Sequence, residues 1–176
     1  VTLYQRLNFK DIPLHLDKVK SQEQAAKFGP NFFEYKIADN KYLKETLNQL
    51  VEFTISPDIV NVTQITYPGA VPHTDAWNVG LNYYFDVGDD TTFYFKQLDK
   101  NINPTAVRET NVRTYDLKNL AVVDKFKANR NEWYLINTTV PHAVKCQNPG
   151  TVRTMLRFVW YKYDFDTILK SINIKD

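Results

Sequence analysis

The chain is poor in cysteine, glycine and surplus charge, and each shortage removes a class of explanation. Its single cysteine, Cys146, has no partner for an internal disulfide and cannot build a cysteine-rich zinc site. A reducing, cytoplasmic compartment is the expectation that follows. Five glycines and eight prolines in 176 residues exclude collagen-like and low-complexity character. Lys and Arg number 22 against 20 Asp and Glu, a formal net charge of only +2, so neither a phosphate backbone nor an anionic membrane is generally attracted. Nucleic acid is therefore an unexpected partner. No apolar run approaches the roughly 20 residues of a membrane-spanning helix, and the opening Val-Thr-Leu-Tyr-Gln-Arg lacks the regions of a secretory signal. The sequons at Asn61 and Asn137 are read as chance matches.

What the chain does carry is apolar and aromatic mass, with 43% hydrophobic residues and 11 each of Tyr and Phe. At this length one domain over 1–176 is expected. Two helices are expected in residues 1–56, one over Ser21-Gln-Glu-Gln-Ala-Ala-Lys-Phe28, stopped by Gly29-Pro30, and one over Asp39 to Phe53. In the second, Leu43, Leu47, Leu50 and Val51 make an apolar stripe. From about residue 57 to 165 the pattern changes to short β-branched and aromatic runs separated by turns. Asn61 to Tyr67, Val79 to Val87, Thr91 to Phe95, Val112 to Tyr115, Trp133 to Ile136 and Val152 to Tyr161 read as strands. The expected architecture is mainly β, an eight-strand jelly roll or open barrel, with the N-terminal helices packed on one sheet.

Two of the three histidines lie in this β region near a carboxylate. In a strand, residues i and i+2 project from one face about 6 to 7 Å apart, so His73 and Asp75 of Pro72-His-Thr-Asp can reach one small object between them. His142, in Thr138-Thr-Val-Pro-His, opens another strand and offers a third ligand. Two imidazoles and one carboxylate from separate strands form the facial set that leaves open positions on Fe(II). His15 lacks such a setting and reads as a surface histidine.

A basic partner follows by register. If Gln147-Asn-Pro-Gly150 is a hairpin loop, Cys146 pairs with Thr151 and His142 faces Met155. Arg153, Met155, Arg157 and Val159 then point inward with His142, while Val152, Leu156, Phe158 and Trp160 form an apolar outer face for the helices. An inward arginine demands an anion. Arg153 would lie deep, where its planar fork suits the far carboxylate of a dicarboxylate bound to the metal, and Arg157 would lie near the mouth. A one-residue slip would turn Arg153 outward instead.

These residues resemble the Fe(II)- and 2-oxoglutarate-dependent dioxygenase family. The likeness rests on His73-Thr-Asp75, on Pro141-His142 and on Arg153, with Pro72 to Phe85 and Leu135 to Val144 similar to the metal-binding strands of the aspartyl/asparaginyl and prolyl hydroxylase-like branches. It implies a double-stranded β-helix, with His73, Asp75 and His142 as iron ligands and Arg153 holding 2-oxoglutarate, helped by Tyr67, Asn82 or Tyr84. Met155 stands where many relatives have a small polar residue. The implied reaction consumes O2 and 2-oxoglutarate, releases succinate and CO2, and hydroxylates a small-molecule or peptide substrate. Trp77, Asn78, Arg108, Arg113 and Arg157 are candidates for the mouth that receives it. The competing readings are a catalytically silent jelly-roll binding module and a cupin-like metalloenzyme needing no keto acid.

Overall fold

The computed structural model describes residues 1–107 and 109–175. The strands in chain order are β1 (Tyr4–Leu7), β2 (Lys20–Lys27), β3 (Phe32–Ile37), β4 (Val51–Phe53), β5 (Ile59–Thr66), β6 (Gly69–Thr74), β7 (Val79–Asp86) and β8 (Thr91–Gln97). There follow β9 (Thr105–Ala106), β10 (Arg113–Thr114), β11 (Leu120–Phe126), β12 (Trp133–Asn137), β13 (His142–Lys145), β14 (Val152–Trp160) and β15 (Ile172–Ile174). The helices are α1 (Leu16–Val19), α2 (Asn40–Leu50) and α3 (Phe165–Ser171). No helix among the described residues is long and apolar enough to cross a membrane.

Two antiparallel sheets carry the fold. The larger runs β1-β12-β7-β14-β5-β3-β2 and the smaller β11-β8-β13-β6-β10-β9. Between β5 and β14, the core strands β5, β7, β12 and β14 belong to the larger sheet and β6, β8, β11 and β13 to the smaller. The chain passes from one sheet to the other and back, and this order is that of a double-stranded β-helix, a jelly roll. β4 and β15 form a separate ribbon.

Side-chain alternation sorts the residues of β14 between two environments. Leu156, Phe158 and Trp160 face away from the smaller sheet and join Leu43 and Leu50 of α2 and Phe165 and Ile168 of α3 in one apolar core. Trp160 is fully buried there, and its indole N–H donates to the Ile55 carbonyl at 3.0 Å. Emptying such a site costs about 3 to 5 kcal/mol. α2 forms where its stripe predicts: Asp39 caps it by accepting from the Tyr42 amide at 2.9 Å. The helix stops at Leu50 because Val51 to Phe53 pair with β15.

Two expectations fail. Residues 21–28 are not helical: Lys20–Lys27 is the edge strand β2, paired with β3 through an irregular register. The Ser21 hydroxyl binds Glu23 locally instead of capping a helix, accepting from its amide at 3.2 Å and donating to its carbonyl at 3.0 Å. The segment has no apolar stripe to bury, and pairing with β3 overrides its helical propensity. The 1–56 segment thus mixes strands with helices: β2 and β3 extend the larger sheet beyond β5, and β1 closes its other end on β12. The hairpin at 147–150 also fails. β13 pairs with β6 and β8, whereas β14 pairs with β5 and β7, so His142 faces His73 and Tyr94, and Met155 faces Thr63 and Tyr84.

Candidate metal centre and its cavity

β6 and β13 are neighbours in the smaller sheet, with His73 directly opposite His142. Asp75 lies just past the end of β6, where its amide donates to the Thr138 carbonyl at 3.2 Å. The three side chains converge between the sheets. His73 Nε2 is 3.3 Å from Asp75 Oδ1, His142 Nε2 is 3.6 Å from Asp75 Oδ2, and one ligand atom from each residue falls within 4.8 Å of the others. Three donors at right angles about an ion at about 2.1 Å stand about 3 Å apart, so the triangle fits one divalent cation.

The second nitrogen of each imidazole fixes its role. His73 Nδ1 lies 2.6 Å from the Val71 carbonyl and His142 Nδ1 2.9 Å from the Val140 carbonyl. A carbonyl only accepts, so each Nδ1 carries a proton and each Nε2 faces the centre, where it donates to Asp75 when protonated and presents a lone pair to a cation when not. Burial works to raise the Asp75 pKa, but bonds and charges from His142 and His73 outweigh it and hold the carboxyl well below the usual range. Burial likewise works to lower the His73 pKa, and Asp75 reverses the sign, leaving it raised. A negative carboxylate between two lone pairs is a place for a cation.

The triad opens on a narrow cavity with about 50 Å³ of room for water-sized molecules. From the larger sheet Gly80, Asn82, Tyr84, Arg153, Met155 and Arg157 line it, and from the smaller Ala70, Thr92 and Val144. Arg153, only 1% exposed, does point inward as parity along β14 requires. One Nη1–H donates to Thr92 Oγ1 at 3.0 Å, and the guanidinium lies 5.0 Å from the centre of the Tyr84 ring. The anion it demands is partly supplied from within, because Asp90 Oδ2 lies 3.6 Å from its Nε. Burial raises the Asp90 pKa and the Arg153 charge opposes that rise. Arg153 Nη2 remains buried without a hydrogen-bond partner.

Of the other residues singled out in the sequence, Asn82 and Tyr84 join the cavity, with Asn82 Nδ2 donating to the Tyr84 hydroxyl at 3.3 Å. Tyr67 does not: it is 45% exposed at the turn into β6 and lines no part of the cavity. Asn78 is held by backbone bonds to Trp160 and Thr138 and lies outside the lining. Arg157 lines the cavity and is bonded to Glu34, and its guanidinium lies 4.3 Å from the ring centre of Trp77, which is not itself among the lining residues. Arg113 sits on β10 opposite Thr74, and Arg108 lies outside the described residues. His15 is exposed, as read. Asp90, Thr92 and Glu34 were not legible as site residues. Asp90 looks like part of the Gly88-Asp89-Asp90 turn, Thr92 like an ordinary strand residue, and Glu34 falls in a segment treated as helical support.

No family model matches the chain, and no curated protein matches it. Among solved structures it is similar to Escherichia coli ycfD, at 12% identity and a TM-score of 0.42, over 87% of this chain and 43% of that one. It is also similar to vicilin from hazelnut, Corylus avellana, at 15% identity and a TM-score of 0.39, over 82% and 31% of the two chains. Oxalate decarboxylase from Bacillus subtilis matches at 10% identity and a TM-score of 0.37, over 81% and 28%. The chain therefore spans less than half the length of each of these proteins.

Proposed function

We propose that the protein is an Fe(II)- and 2-oxoglutarate-dependent dioxygenase that hydroxylates a small-molecule or peptide substrate. The observation that carries this reading is the unpartnered Arg153 Nη2, buried in the same cavity as a His-Asp-His donor set. Two imidazoles and a carboxylate suit Fe(II) and leave positions for other ligands. When bound, the iron and keto acid supply the oxygen activation and the oxidative decarboxylation that yields succinate and CO2.

The chain's own part is placement and shelter. His73, Asp75 and His142 hold the metal, and the Val71 and Val140 carbonyls keep both imidazoles turned toward it. Arg153, steadied by Thr92 and Asp90, offers its free Nη2 to the far carboxylate of the keto acid. Ile65, Ile136, Val144 and Met155 surround the space between with apolar surface, which keeps water from competing.

A second reading has a specific observation in its favour. Because Asp90 already neutralises Arg153, the cavity also suits a metalloprotein of this fold that uses no keto acid. Anaerobic titration of the Fe(II)-loaded chain with 2-oxoglutarate separates the two. The dioxygenase reading expects a weak visible charge-transfer band that Arg153→Met removes. Iron binding without any band at saturating keto acid would sink it in favour of the second.

A further inference from the structure

Behind the cavity wall lies a charged pair whose partnering is incomplete. Arg153 lines the cavity and Asp90 does not. The two are 1% and 2% exposed, so water screens neither charge. Around the guanidinium, Nη1 donates to Thr92 Oγ1, Nε faces Asp90 Oδ2 at 3.6 Å, and Nη2 has no partner. That separation is longer than a hydrogen bond, and both carboxylate oxygens of Asp90 are buried without one. Hydrogen bonds from the protein are what normally keep a buried carboxylate ionised. Asp90 has only a charge across a gap.

Charge balance decides what this pair does when the cavity fills. One guanidinium and one carboxylate cancel. A second carboxylate delivered to Arg153 Nη2 would set two negative charges against one positive charge in a space closed to solvent, and a net buried charge is costly. The groups facing Asp90 are Arg153 on β14, the Cys146 thiol just after β13, Asp86 at the end of β7 and Asp89 in the turn that follows it. Of these only Arg153 is a cation. Burial and the two neighbouring acids already favour the protonated carboxyl of Asp90, and the Arg153 charge opposes them. A ligand that shares that charge removes the opposition.

We propose that Asp90 is a positioning residue acting through Arg153: it takes up a proton from solvent when a carboxylate binds Arg153 Nη2 and returns it when the carboxylate leaves. As an anion, Asp90 balances Arg153 in the empty cavity. As a neutral acid, it leaves the guanidinium charge to the ligand. This role rests on the reading of Arg153 as a carboxylate anchor and extends it to the charge state of the residue behind that anchor. The sign follows directly. Uptake on binding makes affinity highest at low pH, with a fall of up to about tenfold per unit as pH rises.

Calorimetry of the Mn(II)-loaded chain with 2-oxoglutarate, succinate and glutarate, each in two buffers of unlike ionisation heat, counts the protons. Bound Mn(II) keeps Nε2 of His73 and His142 from contributing. Close to one proton is expected per bound acid within about pH 5.5 to 7.5, above the ordinary carboxylate range. Asp90→Asn has nothing to titrate, so its uptake should drop to near zero and its affinity should lose the pH dependence. A residue that only stabilised the fold would leave the proton count unchanged. Where the variant fails to fold, infrared difference spectra of the unaltered chain with isotope-labelled ligand decide, through a protonated carboxyl band that appears on binding.

The proposal is overturned if none of the three acids binds, if binding takes up no proton, if Asp90→Asn takes up as much as the unaltered chain, or if no protonated carboxyl band appears. The two readings fail separately. Proton uptake without the charge-transfer band removes the dioxygenase and keeps the role of Asp90, and the band without proton uptake does the reverse.

Discussion

His73 and His142 face each other across the β6–β13 ladder with ring centres 4.5 Å apart, and each gives its Nδ1 proton to the carbonyl two residues before it. The two strands thus hold matching ligands in matching orientations, and Asp75 closes the triangle from the loop.

Metal affinity should depend on all three corners. His142→Ala or Asp75→Ala is expected to weaken Mn(II) binding by at least about 100-fold, more than the loss of an outer hydrogen bond would cost. Electron paramagnetic resonance of free against bound Mn(II) reads this directly. Unchanged affinity in either variant would remove the centre from consideration.

The Arg153–Asp90 pair is a stability element whatever binds above it. Both residues are almost fully buried, so Arg153→Met leaves a carboxylate with no counter-charge. The expected loss is about 3 to 5 kcal/mol. Adding Asp90→Asn to that variant should return most of it, since the orphaned charge is then gone. Urea denaturation of the two singles and the double measures the coupling.

The sequence already carried the donors and the inward face of β14, although the strand pairing inferred from it was wrong. Parity explains this. Arg153, Met155 and Arg157 share a face at a period of two whichever strands flank them, and the apolar run Leu156, Phe158, Trp160 decides which face is inward. The assumed hairpin partner could be wrong without disturbing either fact. Residues whose role depends on long-range pairing stayed hidden. Glu34 reaches Arg157 across 123 residues of sequence and Asp90 reaches Arg153 from a turn, and no local pattern marks either. The exposure of Tyr67 was hidden for the same reason, since only the path of the turn decides that it faces solvent.

Alkaline pH should expose the burial of Cys146. Burial first, and then the Asp90 carboxylate beside it, push its thiol from 9.0 up to about 12. Because the folded pKa is raised, the stabilisation is complete below the unfolded value and is lost as pH rises from about 9 towards 12. Tyr134, raised from 10.0 to about 12 by burial and then Glu132, adds to the same window. Melting temperatures are expected to fall across that range, and less steeply in Cys146→Ala. At pH 8 the native thiol should react with iodoacetamide far more slowly than the urea-unfolded chain. Equal rates would contradict the buried environment.

Gly69 couples the fold to the centre. It begins β6 at φ +108°, and a Cβ there would stand 2.0 Å from the Val144 carbonyl oxygen on β13. Backbone cannot swing aside as a side-chain tip can, so Gly69→Ala must push β6 away from the strand that carries His142. The expected cost is about 3 kcal/mol or more, combining the left-handed conformation with the steric conflict. Gly150 is the control. Its φ is +87° but a Cβ there meets nothing within 4 Å, so Gly150→Ala carries only the conformational penalty of about 1 to 2 kcal/mol. If ladder geometry sets the ligand triangle, Gly69→Ala should lower both the melting temperature and the Mn(II) affinity of the chain that still folds. Gly150→Ala should lower the melting temperature alone. Equal metal affinity in the two variants would mean that His73 and His142 are held together by something other than the pairing of β6 with β13.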